Sequence, residues 1–371
     1  MERLHILDGY GYIFRAYYGM AGGGNRGASL ANADGLPTGA LHVYASMLVR
    51  MHHDLRPERI VVVFDAPGKN FRTLLDPNYK KTRRETPEDL KKQLPYFRPL
   101  TEAFCWPVIS EEGVEADDTI ATVTGQARAR GWDVVIYSGD KDLMQLVDER
   151  VTVVDSMRRI TYDHDRVVEK FGVRPDQLGD WLSLVGDKSD NVPGMVGVGK
   201  VGATKLLNQY GDLRGILRNV DALKGKQQER FCDAGNIAQL EMAKKLVTLK
   251  TDVELSATLD SFVPAPWDTR PLEKLCEQFG FSGLVARMGA KGASGRTGAS
   301  ASAIVAEEKP VKKVEAIEYT PMAALVVLDK ERILEEAKAA VLAGEVAVVV
   351  ESDGQRHDRE RLVGLGIAVP G

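Results

Sequence analysis

The sequence predicts an α/β fold: a mostly parallel central sheet with helices on both faces, then a helical subdomain and a partial α/β domain at the C-terminus. Three observations carry this. Short apolar runs, Arg3–Leu7, Arg59–Phe64 and Trp132–Tyr137, alternate with helical patterns, as repeated strand–helix units require. Asp8, Asp65 and Asp140 each stand at or just beyond the end of one of these runs, the edge where open α/β sheets bind ligands. Beyond residue 176 the strand pattern gives way to helical runs around a glycine-rich loop.

The elements follow in order. Arg3–Leu7 is the first strand, and the aromatic stretch after it, with Tyr10, Tyr12, Phe14, Tyr17 and Tyr18, reads as a helix whose rings mostly fill the core. Gly22–Gly39 reads as a loop and Ala40–Arg50 as an amphipathic helix. Arg59–Phe64 is a strand ending at Asp65. Lys69–Arg98 is basic, with Phe71, Tyr79 and Tyr96 interleaved, and its prolines allow short helical pieces at most. Such a stretch suits a phosphate backbone and a splayed base, and equally a solvated charged face. Thr119–Arg130 is a helix stopped by Gly131, and Trp132–Tyr137 is the strand after it. Val151–Val154 is a further strand, ending at Asp155, and Phe171–Pro175 opens the helical region.

Two acidic runs bracket the central helix–strand unit: Glu115-Ala116-Asp117-Asp118 and Asp140-Lys141-Asp142. Either run alone fits an acidic helix N-terminus favoured by the dipole. Together they would crowd five carboxylates onto one sheet edge, and two charges about 4 Å apart repel by roughly 4 kcal/mol near a protein surface. Hard cations with oxygen ligands, Mg²⁺ or Mn²⁺, relieve that cost. Asp187 and Asp190, three apart, would share a helical face and complete the set, or cap locally. Gly194 to Lys200 nearly matches a P-loop, but Val201 replaces the hydroxyl and no strand precedes it. A glycine hairpin between two helices fits better, its bare N–H groups able to hold a phosphate.

Composition narrows the classes. The chain has 371 residues, 44% apolar and 27% charged, with a net charge of −4. That describes two or three soluble domains and does not by itself announce a nucleic-acid binder. Cys105, Cys232 and Cys276 match no metal or redox spacing, which fits a reducing cytosol. No secretory pattern or membrane-length apolar run is present, so a cytoplasmic location is expected. Met288 to about Glu315 reads as a Gly/Ala/Ser/Lys linker. Ala323–Leu328, Val346–Val350 and Leu362–Val369 then read as strands, with Lys330–Leu342 a helix, a poor core that implies truncation or a missing partner.

Leu7-Asp8-Gly9, Val63-Phe64-Asp65, Glu115-Ala116-Asp117-Asp118, Gly139-Asp140-Lys141-Asp142, Gly186-Asp187-Lys188-Ser189-Asp190-Asn191 and Gly197-Val198-Gly199 occur in that order. In this the chain resembles the 5′-3′ exonuclease domains of bacterial DNA polymerases I, members of the flap endonuclease family, over about residues 1–290. The resemblance implies a PIN/flap-nuclease-like core at 1–175 with a basic arch at 69–98. It implies a helix-hairpin-helix subdomain at 176–290, a linker at 291–318 and an inactive start of a 3′-5′ exonuclease-like domain at 319–371. Metal ligands would fall on Asp8, Asp65, Glu115, Asp117, Asp118, Asp140, Asp142, Asp187 and Asp190. Lys80 and Arg83 would meet the scissile phosphate, with Tyr79 stacking on a base. Arg72, Lys81, Arg84, Gly197, Gly199, Lys200 and Lys205 would contact DNA. The implied cofactors are two or more Mg²⁺ or Mn²⁺, with K⁺ at the hairpin. The implied partner is DNA with a 5′ flap, nick or RNA primer, bound by a monomer with a polymerase domain in cis and no membrane. A small-molecule Mg²⁺ phosphatase and a non-catalytic DNA-binding module are the alternatives.

Overall fold

The computed structural model describes residues 2–21, 30–281 and 283–284, together with two strands at 347–352 and 362–368. Its centre is a six-stranded sheet of β1 (Arg3–Asp8), β2 (Ile60–Val63), β3 (Val108–Ile109), β4 (Asp133–Tyr137), β5 (Val151–Asp155) and β6 (Ile160–Tyr162), in the order β3-β2-β1-β4-β5-β6. All pairings are parallel except β5 with β6. In register, Leu7 lies between Val62 and Tyr137, so the carboxyl ends of β1, β2 and β4 are level. The hairpin strand β6 had no sequence counterpart; its three residues are too few to show a period.

Strand residues alternate between two apolar layers, as a period of two demands. Leu4, Ile6, Val61, Val63, Val134 and Ile136 face one layer; Leu7, Ile60, Val62 and Tyr137 face the other. The second layer is covered by α1 (Gly9–Ala21), α2 (Gly39–Leu55), α4 (Glu88–Glu102) and α12 (Arg270–Phe279). The first is covered by α5 (Ala116–Ala129), α6 (His164–Phe171) and α7 (Leu178–Val185), and runs on into α8 (Lys200–Tyr210), α9 (Leu213–Arg218), α10 (Lys226–Cys232) and α11 (Ala234–Val247). The helical part thus shares a core with the sheet, and the described residues up to 284 belong to one compact unit.

Two local expectations are corrected. The basic stretch is not limited to short pieces: after α3 (Phe71–Leu75), α4 runs for 15 residues with Pro95 and Pro99 inside it. Both prolines face solvent, while Leu90, Gln93, Phe97, Leu100 and Thr101 are buried, and that packing outweighs two missing backbone bonds. Asp187 and Asp190 do not share a helix. They sit on a small hairpin of β7 (Gly186–Asp187) and β8 (Val192–Pro193), whose turn places Asn191 at φ 56°.

In the C-terminal unit, β9 (Ala347–Ser352) pairs antiparallel with β10 (Leu362–Ala368). The expected strand at 323–328, the helix at 330–342 and the linker lie outside the described residues. Among the described residues no helix is long and apolar enough to cross a membrane.

Candidate active site

The sheet's carboxyl edge gathers the acidic residues from separate parts of the chain. Asp8 ends β1 and is buried; it accepts hydrogen bonds from the Gly11 N–H at 2.8 Å and the Ser138 hydroxyl at 2.7 Å. Asp65 follows β2 and accepts the Ala116 N–H at 2.8 Å, which ties it to the start of α5. Glu115 caps that helix in a reciprocal box with Asp118. Asp117, in the helix's first turn, and Asp140, just past β4, complete the group.

Burial pushes the Asp8 carboxyl up to about 6, and Asp140 and Asp65 add to the shift. Asp117 is raised well above the carboxylate range, first by burial and then by Asp140 and Asp8. Asp65 is raised by burial and by Glu115. Mutual repulsion of this kind marks carboxylates within a shared electrostatic field.

A second group adjoins the first through Asp140. Asp142, Asp187 and Asp190 each offer a carboxylate oxygen, all within 4.8 Å of one another. Asp142 is raised by burial, Asp140 and Asp187, and its buried Oδ1 has no hydrogen-bond partner. Asp187 goes the other way: burial opposes it, but hydrogen bonds from Lys141 and Ser189 hold it below its ordinary value. An orphaned buried oxygen within an all-carboxylate set is the donor chemistry of a hard divalent cation.

Basic side chains reach over both groups. Lys80 Nζ lies 2.5 Å from Glu115 and 3.7 Å from Asp190, and Arg83 lies 2.5 Å from Asp190. Lys141 pairs with Asp187 at 2.8 Å. Lys80 takes φ 58° while its N–H donates to the Asp190 carbonyl, a strained turn that aims the side chain inward. A cavity beside them is lined by Asp65, Lys69, Asn70, Lys80, Arg83 and Glu115.

Three expected site residues are placed elsewhere. Arg72 is 2% exposed and its guanidinium is bonded to Asp118, so it is not a DNA contact in this arrangement. Asp118 is fully buried, with both oxygens committed to Arg72 and to the Glu115 and Lys250 N–H groups, so none is left for a metal. Tyr79 is buried, its hydroxyl donating to Glu115 and Asp190, and no ring face is free for a base. Lys81, Arg84, Gly197, Gly199, Lys200 and Lys205 are exposed, as a DNA contact requires.

The loop Gly194–Gly199 joins the β7–β8 hairpin to α8, with Gly199 at the N-cap. Lys200, Lys205, Lys170, Phe171 and Trp181 line a groove beside it.

Sequence reasoning missed Arg15, Asn70 and Ser138. Arg15 is fixed to Asp155 by two hydrogen bonds and lies over Gly139, where any side chain would overlap it. Asn70 N-caps α3 and donates to Glu115 at 2.9 Å. Only Asn70, a capping residue type before a helix, left a local signal.

Comparison with known proteins agrees with this fold. Residues 3–172 match the 5′-3′ exonuclease N-terminal resolvase-like domain, and residues 173–270 match the 5′-3′ exonuclease C-terminal SAM fold. A 5′-3′ exonuclease of Aquifex aeolicus is 39% identical over 255 residues, covering 69% of this chain and 84% of that protein. DNA polymerase I of Rhizobium leguminosarum is 38% identical over 294 residues, 77% of this chain but 28% of that one. DNA polymerase I of Bacillus subtilis is 30% identical over 374 residues, 99% of this chain and 38% of that one. The chain therefore spans about a third of the polymerase relatives. Among solved structures, the bacteriophage T5 D15 flap endonuclease, in a complex with DNA and metal ions, aligns with a TM-score of 0.53 at 21% identity. That alignment covers 78% of this chain and 97% of the phage protein, which supports the fold alone. With the Aquifex relative covered nearly whole and both domains matched in order, the chain belongs to the 5′-3′ exonuclease family.

Proposed function

We propose that the protein is a structure-specific 5′ nuclease that hydrolyses phosphodiesters at 5′ ends, flaps and nicks, as in RNA-primer removal, nick translation and repair. Its substrate is DNA with a 5′ flap, nick or RNA primer, and the polymerase relatives suggest a polymerase domain in cis. The observation that carries this is the meeting of Asp8, Asp65, Asp117 and Asp140 with the Asp142, Asp187 and Asp190 triad beneath Lys80 and Arg83.

The first group and the triad would each hold a Mg²⁺ or Mn²⁺ ion. Bound there, such ions supply Lewis-acid polarisation of a water and of the phosphodiester. The chain's own residues do the rest. Ser138 and Gly11 fix the Asp8 carboxylate through both oxygens. The Ala116 N–H fixes Asp65 through one oxygen. Lys80 and Arg83, now paired with Glu115 and Asp190, are poised to exchange those partners for phosphate oxygens once cations neutralise the carboxylates. Exposed Lys81 and Arg84 continue the positive surface outward, and the glycine loop with Lys200 and Lys205 holds the duplex.

Asp117→Ala or Asp140→Ala should lower single-turnover cleavage of a 5′-flap substrate in Mg²⁺ by about 10³-fold, near 4 kcal/mol of barrier. Flap binding without metal should persist. Full activity in either variant refutes the proposal. Hydrolysis of a generic phosphate monoester but not of the flap would favour a phosphatase. Binding without metal-dependent cleavage by the unaltered protein would favour a DNA-binding module.

A further inference from the structure

Arg72 is among the largest fully buried side chains of the protein, and every one of its donors is matched. Its five N–H groups meet five acceptors. Nη1 and Nη2 fork onto Asp118 at 2.6 and 2.7 Å, and Nη1 also reaches Glu115 at 3.5 Å. Nε donates to the Leu246 carbonyl at 2.7 Å and Nη2 to the Thr248 carbonyl at 2.9 Å. Those carbonyls lie at and just beyond the C-terminal end of α11, where helical partners run out, so Arg72 caps that helix from across the molecule.

The same knot holds three segments. Arg72 stands on α3, the element that leads into Tyr79, Lys80 and Arg83. Asp118 stands one residue from Asp117 and closes the cap on Glu115. The segment after α11 returns to α5: the Lys250 N–H donates to Asp118 at 2.9 Å, and the Thr122 hydroxyl bridges Lys250 and Val253. Nearer its middle, α11 touches the glycine loop through Gln239, which donates to the Gly194 carbonyl at 2.6 Å. A buried ion pair contributes little to net stability compared with an apolar substitute of the same volume, and what it supplies is geometry.

We propose that Arg72 is a positioning residue that couples the glycine-loop subdomain to the metal ligands. By locking the end of α11 to the start of α5, it sets Glu115 and Asp117 in the arrangement that binds cations, and seating a duplex on the glycine loop tightens that arrangement. The assignment rests on the metal-centre reading above, and its primary readout is metal binding, which needs no cleavage.

The test uses the full chain. Arg72→Lys keeps the charge but loses the fork and both carbonyl bonds, and Thr122→Val loosens the same clasp without touching a charge. Mn²⁺ affinity is measured by calorimetry with and without a flap duplex, alongside thermal unfolding and flap binding in EDTA. Arg72→Lys should weaken Mn²⁺ binding about 10- to 100-fold, the range for groups that orient metal ligands, and Thr122→Val should weaken it less. Flap binding in EDTA should stay within about twofold, and the tightening of Mn²⁺ binding by flap DNA should shrink in both variants. Rescue of the single-turnover rate by excess Mg²⁺ should follow, which a merely structural loss would not give. A folded Arg72→Lys protein with unchanged Mn²⁺ affinity overturns the assignment. Should Arg72→Lys fail to fold, Thr122→Val decides: lowered thermal stability with unaltered Mn²⁺ affinity and coupling makes the knot structural only. Normal Mn²⁺ binding by the parent chain without flap cleavage would sink the nuclease reading and leave this one standing.

Discussion

Asp8 and Asp187 carry the same functional group and are pushed in opposite directions. Asp8 is raised to about 6 because burial and its acidic neighbours outweigh two hydrogen bonds, whereas Lys141 and Ser189 hold Asp187 down. The sign of the linkage follows. The metal-free fold favours a proton on Asp8; that contribution is complete below the ordinary carboxylate range and is lost as pH rises through about 6. Asp117 and Asp142 act in the same sense. Mg²⁺ competes with those protons, so it should raise the unfolding temperature more at about pH 7.5 than at about pH 5. Thermal scans with and without Mg²⁺ at both pH values check this, and an equal shift would contradict it. At this scale the acidic set was legible, because Asp residues at strand ends advertise their edge. Arg72 and Tyr79 were misread because a basic, aromatic stretch resembles a surface until Leu246 and Thr248 are brought beside the one and Glu115 and Asp190 beside the other. Asp118 was misread because its partners Arg72 and Lys250 are distant in sequence.

The glycine loop separates two uses of glycine that look identical in sequence. A Cβ on Gly194 would lie 2.3 Å from the Val185 carbonyl carbon and 2.4 Å from the Gly186 N, backbone atoms that cannot swing aside. Gly194→Ala should therefore destabilise the fold by about 1–3 kcal/mol, as overpacking does. Gly202 is different: it lies in the first turn of α8, and the nearest atom to its Cβ would be a Val198 methyl at 3.8 Å. Gly202→Ala should leave stability unchanged or raise it by up to about 1 kcal/mol, through helix propensity. If the bare backbone admits a phosphate, the same substitution should weaken duplex binding several-fold. Unfolding curves paired with fluorescence anisotropy separate the two effects, and undiminished binding by Gly202→Ala would remove that role. Elements with a clear period, such as β1, β2, β4 and α5, were legible to within a few residues. The long helix α4 was not, because its two prolines masked an apolar face that only packing against the sheet layer rewards.

For the molecule as a whole, a net charge of −4 must be reconciled with the polyanionic substrate proposed for it. The sum misleads because charge is sorted by place. The carboxylates converge on one sheet edge, where Lys80, Arg83 and Lys141 partly neutralise them. Lys200 and Lys205, beside the glycine loop, pair with no carboxylate among the described residues and line a groove with Lys170. On the proposed function, duplex affinity then rests on counterion release from a small number of phosphate contacts. Each such lysine contributes about 0.9 to the slope of log affinity against log salt. The double substitution of Lys200→Ala with Lys205→Ala should flatten that slope by roughly 2 for a flap duplex in EDTA. Cleavage at saturating substrate should be nearly unaltered, because neither lysine touches the acidic edge. Anisotropy titrations at several KCl concentrations measure the slope. A slope as steep as that of the parent chain would mean the duplex is held elsewhere, and the groove beside α8 would lose its assignment.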